Sequence, residues 1–128
     1  MLEFHHESTG CSLVIDDDGR VAYAYLRDPE CAIIGDVWLY NRAPAADADW
    51  ADPAQVPLPN PPSFACPLPG EPPSAEDLTV RWAVDETLLL ADVLVRGTLL
   101  ARLSPGAAPG WNVLAIADGP LAQVLELS

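Results

Sequence analysis

Cys11-Ser-Leu-Val-Ile-Asp-Asp-Asp-Gly-Arg-Val-Ala-Tyr-Ala-Tyr-Leu26 reads as two strands folded back on each other. Cys11 to Ile15 is a short β-rich run. Asp17-Asp18-Gly19 is a turn cluster in which Gly19 can take a positive φ. Val21 to Leu26 is the return strand. Working outward, Asp28-Pro29-Glu30 makes the next break, because proline cannot donate to a ladder. Cys31 to Tyr40 then forms a third strand, with Gly35-Asp36 as a bulge or bend. Leu2 to His6 precedes the meander as a short edge strand.

The simplest register sets Ile15 opposite Arg20 and Arg27 opposite Cys31. It separates Cys11 from Cys31 and excludes a disulfide between them. It places Cys11, Leu13, Ile15, Ala22, Ala24, Leu26 and Ile34 on one face. Val14, Val21, Tyr23, Tyr25, Ile33, Val37 and Leu39 fall on the other. A sheet with one wet face alternates apolar and polar residues, and this one does not. The second face therefore needs a cover: the other half of the chain, the loop that follows, or a partner.

Downstream, Ala43 to Asp77 holds ten of the fourteen prolines. Such a stretch cannot be helix or inner strand and favours extended polyproline conformations. Trp50 and Phe64 are expected to pin it to the sheet. Strand patterns return at Leu78 to Val84, Thr87 to Val95 and Thr98 to Leu103, with Arg96-Gly97 as a two-residue hairpin turn. Trp111 to Ala117 and Leu121 to Leu127 are expected to form a last hairpin. The chain is thus one domain, 1–128, divided into a β meander (1–42), a proline-rich loop (43–77) and β hairpins (78–128). The fold class is mainly β, a small antiparallel sandwich or half-open barrel. The alternative is α+β with one short C-terminal helix over residues 111–127.

The charge is lopsided, with 19 Asp and Glu against 6 Arg and no Lys, a net charge of −13. That balance repels nucleic-acid phosphates and anionic lipid. It leaves solubility, a basic protein partner or a high-salt cytoplasm as its reason. Lys-free, Ala- and Pro-rich usage also fits a GC-rich bacterial genome. The apolar runs fall far short of the ~20 residues of a spanning helix. The first ten residues lack a basic start followed by an apolar stretch, so a cytoplasmic chain is expected. Cys11, Cys31 and Cys66 have no metal or disulfide spacing and are expected to be buried thiols.

Reactive chemistry is hard to find. The histidines, His5 and His6, are adjacent, and no nucleophile elbow or phosphate-cradling glycine loop occurs. Glu3, His5 and Glu7 share a strand face and form the best metal-ligand set, but solvated side chains are the plainer reading. Asp16-Asp17-Asp18-Gly19 superficially suggests a calcium loop, but that pattern needs ligands at alternate positions and a Glu at position twelve, where Arg27 stands, so the stretch reads as a turn. No enzyme activity, cofactor or metal is therefore expected.

The aromatic residues remain. Tyr23, Tyr25, Trp38, Tyr40 and Trp50 are candidate partner contacts, since Tyr and Trp are enriched at binding hot spots. They are also ordinary core residues of small β proteins. The leading expectation is a non-catalytic acidic protein-binding module, in its concrete form a bacterial immunity or inhibitor protein that neutralises a basic partner. A structural or homo-oligomerisation domain and a small-molecule-binding β-barrel are the alternatives.

Overall fold

Turn chemistry sets the strand ends. Asp17 Oδ1 accepts from the Gly19 N–H, and Asp18 Oδ1 accepts from the N–H groups of Arg20 and Val21, which folds residues 17–21 into a self-bonded turn. At Arg96-Gly97 both residues have positive φ, 50° and 82°, the combination a two-residue hairpin turn requires. Both turns fall where the sequence places them.

The computed structural model describes residues 2–41, 65–66, 68, 70–71, 73–85, 88–107, 109–119 and 121–125. Nine strands occur among them: β1 Leu2–His5, β2 Ser12–Asp17, β3 Val21–Arg27, β4 Ile33–Asn41, β5 Leu78–Asp85, β6 Leu88–Val95, β7 Thr98–Leu103, β8 Trp111–Asn112 and β9 Gln123–Val124. They form two sheets, β1-β2-β3-β4 and β5-β6-β7-β8-β9, neither closed into a barrel. The architecture is a small β-sandwich. No described helix is long and apolar enough to cross a membrane.

The core lies between the sheets. Leu13, Ile15, Ala22, Ala24, Leu26 and Val37 line the inner face of the first sheet, and Ala91, Val93, Ala101 and Leu103 that of the second, all buried. The observed register pairs Ile15 with Ala24 and Ala24 with Val37, where the simplest reading pairs Cys11 and Ile34 with Ala24. The β2–β3 slip is an even number of residues, so Leu13, Ile15, Ala22, Ala24 and Leu26 keep their shared face. Two register shifts in the β3–β4 ladder change the third strand's faces. The one between Leu26 and Arg27 brings Val37 into the core and Trp38 onto the second face, opposite Tyr23, and the one between Ala22 and Tyr23 returns Tyr40 to the core face, opposite Ala22. The second face is buried by this chain itself at Val14, Tyr23 and Trp38.

β4 is the last strand of its sheet, yet its outer edge is covered by the segment after β7. Gly106 N–H donates to Ile34 O at 2.7 Å, Gly110 N–H to Asp36 O at 2.6 Å, and Trp38 N–H to Leu121 O at 2.9 Å. Two glycines permit this approach. A Cβ on Gly35 would stand 3.0 Å from Ser104 O, and one on Gly110 would stand 2.5 Å from Arg102 O. Asn112, fully buried, completes the junction: Nδ2 donates to Trp38 O at 2.7 Å and Leu39 O at 2.8 Å, and Oδ1 accepts from Leu114 N–H at 2.8 Å.

This junction also replaces the expected last hairpin. Asn112 draws the chain inward, residues 113–114 turn, and Ala115 bridges Ala65. β8 and β9 then pair as two-residue parallel strands, and no α-helix occurs among the described residues of 111–125. The end of the proline-rich stretch is attached here as well. Cys66 N–H donates to Leu114 O at 2.7 Å, and Leu68 packs on the core. The expected anchors Trp50 and Phe64 lie outside the described residues.

Candidate functional site

The outer face of the first sheet gathers tyrosines and acids. Cross-strand pairing sets Asp16 opposite Tyr23 and Tyr25 opposite Asp36. Side chains alternate along a strand, so Tyr23 and Tyr25 share this face. Their rings stack with centroids 6.2 Å apart and planes 15° from parallel. Tyr23 is buried and Tyr25 half-buried. Burial pushes both hydroxyls above the usual tyrosine range; for Tyr25 the charges of Asp16, Asp36 and Asp18 add to it. At neutral pH Tyr25 is therefore a neutral O–H donor amid carboxylates.

Asp36 is half-buried, and burial raises its carboxyl above the ordinary value. Among the described residues no cation pairs with it, and none pairs with exposed Asp16. Most acids on this side of the molecule differ. Asp17 accepts from the Tyr40 hydroxyl at 3.0 Å. Burial works against Asp18, but hydrogen bonds from Arg20 and Val21 prevail and hold its carboxyl below the usual range. Glu3 meets Arg27 at 3.0 Å. Ile33, opposite Arg27 at the end of this face, is 62% exposed. The patch thus offers an uncovered apolar side chain, a half-covered ring and carboxylates whose charge is not neutralised.

The outer face of the second sheet is different. Asp92, in the middle of the apolar strand β6, is flanked by Arg81 on β5 and Arg102 on β7. Arg102 grips it with two bonds, Nε to Oδ1 at 2.7 Å and Nη2 to Oδ2 at 3.1 Å, and Arg81 Nη2 adds one at 3.2 Å. Burial alone would raise the Asp92 carboxyl, but these bonds and charges hold it low. Beside this triad an open groove of about 440 Å³ is lined by Leu88, Leu90, Trp111 and Leu125 among others. Arg102 and Arg81 together satisfy the Asp92 carboxylate, with Arg81 bound through one nitrogen only, so the arrangement ties three strands together and holds Asp92 ionised rather than poised for proton transfer.

The aromatic candidates separate on burial. Trp38 and Tyr40 are each 1% exposed and present nothing to a partner. Trp38 Nε1 donates to Asn41 Oδ1 at 2.8 Å. Tyr25 is the candidate that reaches the surface, and Trp50 lies outside the described residues. Sequence reasoning missed Asp16, Asp36 and Ile33 as members of one patch, although alternation already put Ile33 beside Tyr25. It also missed the triad, whose signal was a lone acid inside Leu88-Leu-Leu-Ala-Asp-Val-Leu-Val95.

The remaining motifs carry no site. Cys11 is buried as expected, but Cys31 and Cys66 are exposed, because Cys31 sits in the turn after Pro29, at φ 66°, rather than in a strand. All three thiols are free. The Glu3-His5-Glu7 alternation ends with β1 at His5, and Glu3 is turned to Arg27. Among the described residues no three His, Cys, Asp or Glu side chains converge on a point that could hold a metal ion. No family model, no curated protein and no solved structure matches the chain.

Proposed function

We propose that the protein is a non-catalytic binding module for a basic protein partner, and that Asp16, Tyr25, Ile33 and Asp36 are the centre of its contact surface. The observation that carries this reading is Asp36. Among the described residues this half-buried carboxylate has no cation, so its burial costs folding free energy that a cationic side chain from a partner would recover. Approach of a Lys or Arg would neutralise it. Ile33 and the Tyr25 ring would then be covered, the apolar anchor within a polar rim that compact interfaces use. The net charge of −13 would steer such a partner from a distance. The concrete version is an immunity or inhibitor protein that neutralises a basic bacterial toxin in the cytoplasm.

The test is to co-express the products of the neighbouring genes, select the basic one that co-purifies, and titrate it against wild type and Asp36→Asn/Tyr25→Ala. Affinity is expected to fall at least tenfold in the double variant. It is also expected to fall between about 50 and about 300 mM salt, as screening removes the steering term. Association indifferent to both changes, or no basic protein among those products that associates, would overturn the reading.

A further inference from the structure

Strand β5 ends its sheet, and among the described residues its outer flank is open. Leu78 turns its N–H away from β6 and donates to Ala75 O. Backbone groups of an antiparallel strand alternate in direction, so Val80, Trp82 and Val84 also point outward, while Arg81 and Ala83 bond to β6. The β5–β6 ladder runs from Leu78 to Asp85 without a register shift, so this alternation is unbroken. Among the described residues nothing bonds to the outward groups of Val80, Trp82 and Val84. The strand has eight residues with no Pro, Lys or bulge to blunt its edge, and its charged residues are Arg81 and Asp85, of opposite sign. The contrast with β4, whose edge is sealed by residues 106–121, is direct.

We propose that β5 pairs antiparallel with β5 of a second copy, about a twofold axis at Ala83, joining two five-stranded sheets into one. Charge selects this register. Centred on Ala83, Arg81 stands opposite Asp85 of the second copy, twice. Trp82 and Val84 of opposite copies exchange the outward hydrogen bonds. Centred on Arg81 instead, two arginines would face each other. Centred on Trp82, each Arg81 would face an alanine. The chosen register also covers Val84, which is 56% exposed in the single chain, and sets it beside Trp82 as an apolar cross-strand pair. Arg81 is available for a second carboxylate, because it is 62% exposed and meets Asp92 through Nη2 alone. This surface is distinct from the Asp36 face and does not depend on it.

Sedimentation equilibrium of the full chain from about 1 to about 500 µM, at about 0.15 M salt to screen the repulsion of two acidic copies, is the direct test. The mass is expected to rise from 13.7 kDa toward twice that value. Val84→Pro removes an outward N–H without touching the β5–β6 ladder, and is expected to stay monomeric with an unchanged circular dichroism spectrum. Should that variant not fold, Asp85→Arg sets arginines opposite each other and is expected to weaken association at least tenfold. Amide exchange at Val80, Trp82 and Val84 is expected to slow as wild type is concentrated. A single 13.7 kDa species at every concentration overturns the proposal. So does a dimer that survives these variants, or one whose outward amides exchange at the same rate throughout. Slowing of those amides only when a basic protein is added would assign the edge to that partner and remove the second copy.

Discussion

Replacing Asn112 by alanine is the sharpest test of how the two sheets are joined. The side chain is fully buried and makes three hydrogen bonds to backbone groups, at 2.7, 2.8 and 2.8 Å. Two are to carbonyls of Trp38 and Leu39 beside a register shift in the β3–β4 ladder, and one is from Leu114 N–H. A neutral hydrogen bond contributes a net ~1 kcal/mol, and a buried group left without its partner costs ~1–3 kcal/mol. Water entering the vacated space would offset part of this, so the expected loss is about 3–4 kcal/mol. Against a total of about 5–15 kcal/mol for a domain, that is a large fraction. It corresponds to a fall of roughly 10 °C or more in Tm. Urea denaturation followed by tryptophan fluorescence measures it, since Trp38 is buried next to the junction. Asn112→Asp is the companion variant. It keeps the shape but aims a carboxylate at two carbonyls, so its deficit should shrink on acidification, when the protonated acid can donate to one of them. A loss under about 1 kcal/mol for the alanine variant would refute the reasoning, because it would mean the carbonyls are served equally well by other groups.

Asp92→Asn should destabilise by about 2 kcal/mol at neutral pH, the scale of hydrogen bonds to charged groups discounted for the exposure of Arg81. The Asp92 carboxyl is held below its unfolded value, so its contribution is complete above about pH 4 and is lost as pH falls further. Chemical denaturation at pH 7 and pH 2.5 should therefore show the gap between variant and wild type closing in acid. Asp36→Asn should behave oppositely. Its folded-state pKa is raised, so ionisation costs stability as pH rises through and above about 4, and the variant should be the more stable protein at pH 7 with no advantage at pH 3. Gly110→Ala should cost about 2–3 kcal/mol or prevent folding, because the new methyl would lie 2.5 Å from Arg102 O, and thermal melts should rank it below an alanine at Gly19, which meets no atom within 4 Å and is opposed only by the positive φ of 89°.

What the sequence makes legible here is local. Asp17-Asp18-Gly19 and Arg96-Gly97 carry their turn chemistry in their own side chains and backbone preferences, and both hairpins follow from them. Alternation puts Leu13, Ile15, Ala24 and Leu26 on one face, and a slip of even length leaves that assignment intact. Val37 escapes such reasoning because the register shift that turns it inward lies at residues 33–35, where the partners are some seventy positions away: Gly106 N–H bonds Ile34 O and Gly35 lies against Ser104 O. The C-terminal segment escapes it for the same reason. Its apolar runs suggest a hairpin, but its backbone bonds go to β4 and to Cys66. The candidate site is half legible. Tyr25 is found by its residue type, whereas Asp16 and Asp36 become its neighbours only through strand pairing. Trp38 and Tyr40 show the weakness of residue type as a guide, since in a domain this small large rings are needed inside.

The sealed edge of β4 also bears on how this chain comes apart. Its two halves are connected in sequence through the proline-rich stretch, but in space they are stitched by backbone hydrogen bonds that run directly between residues 34–38 and residues 106–121. Neither half can let go without exposing both a layer of aliphatic side chains and a row of unsatisfied peptide groups. A single proteolytic nick between residues 43 and 64 should therefore yield two peptides that migrate as one particle, melt in one transition, and separate only in denaturant.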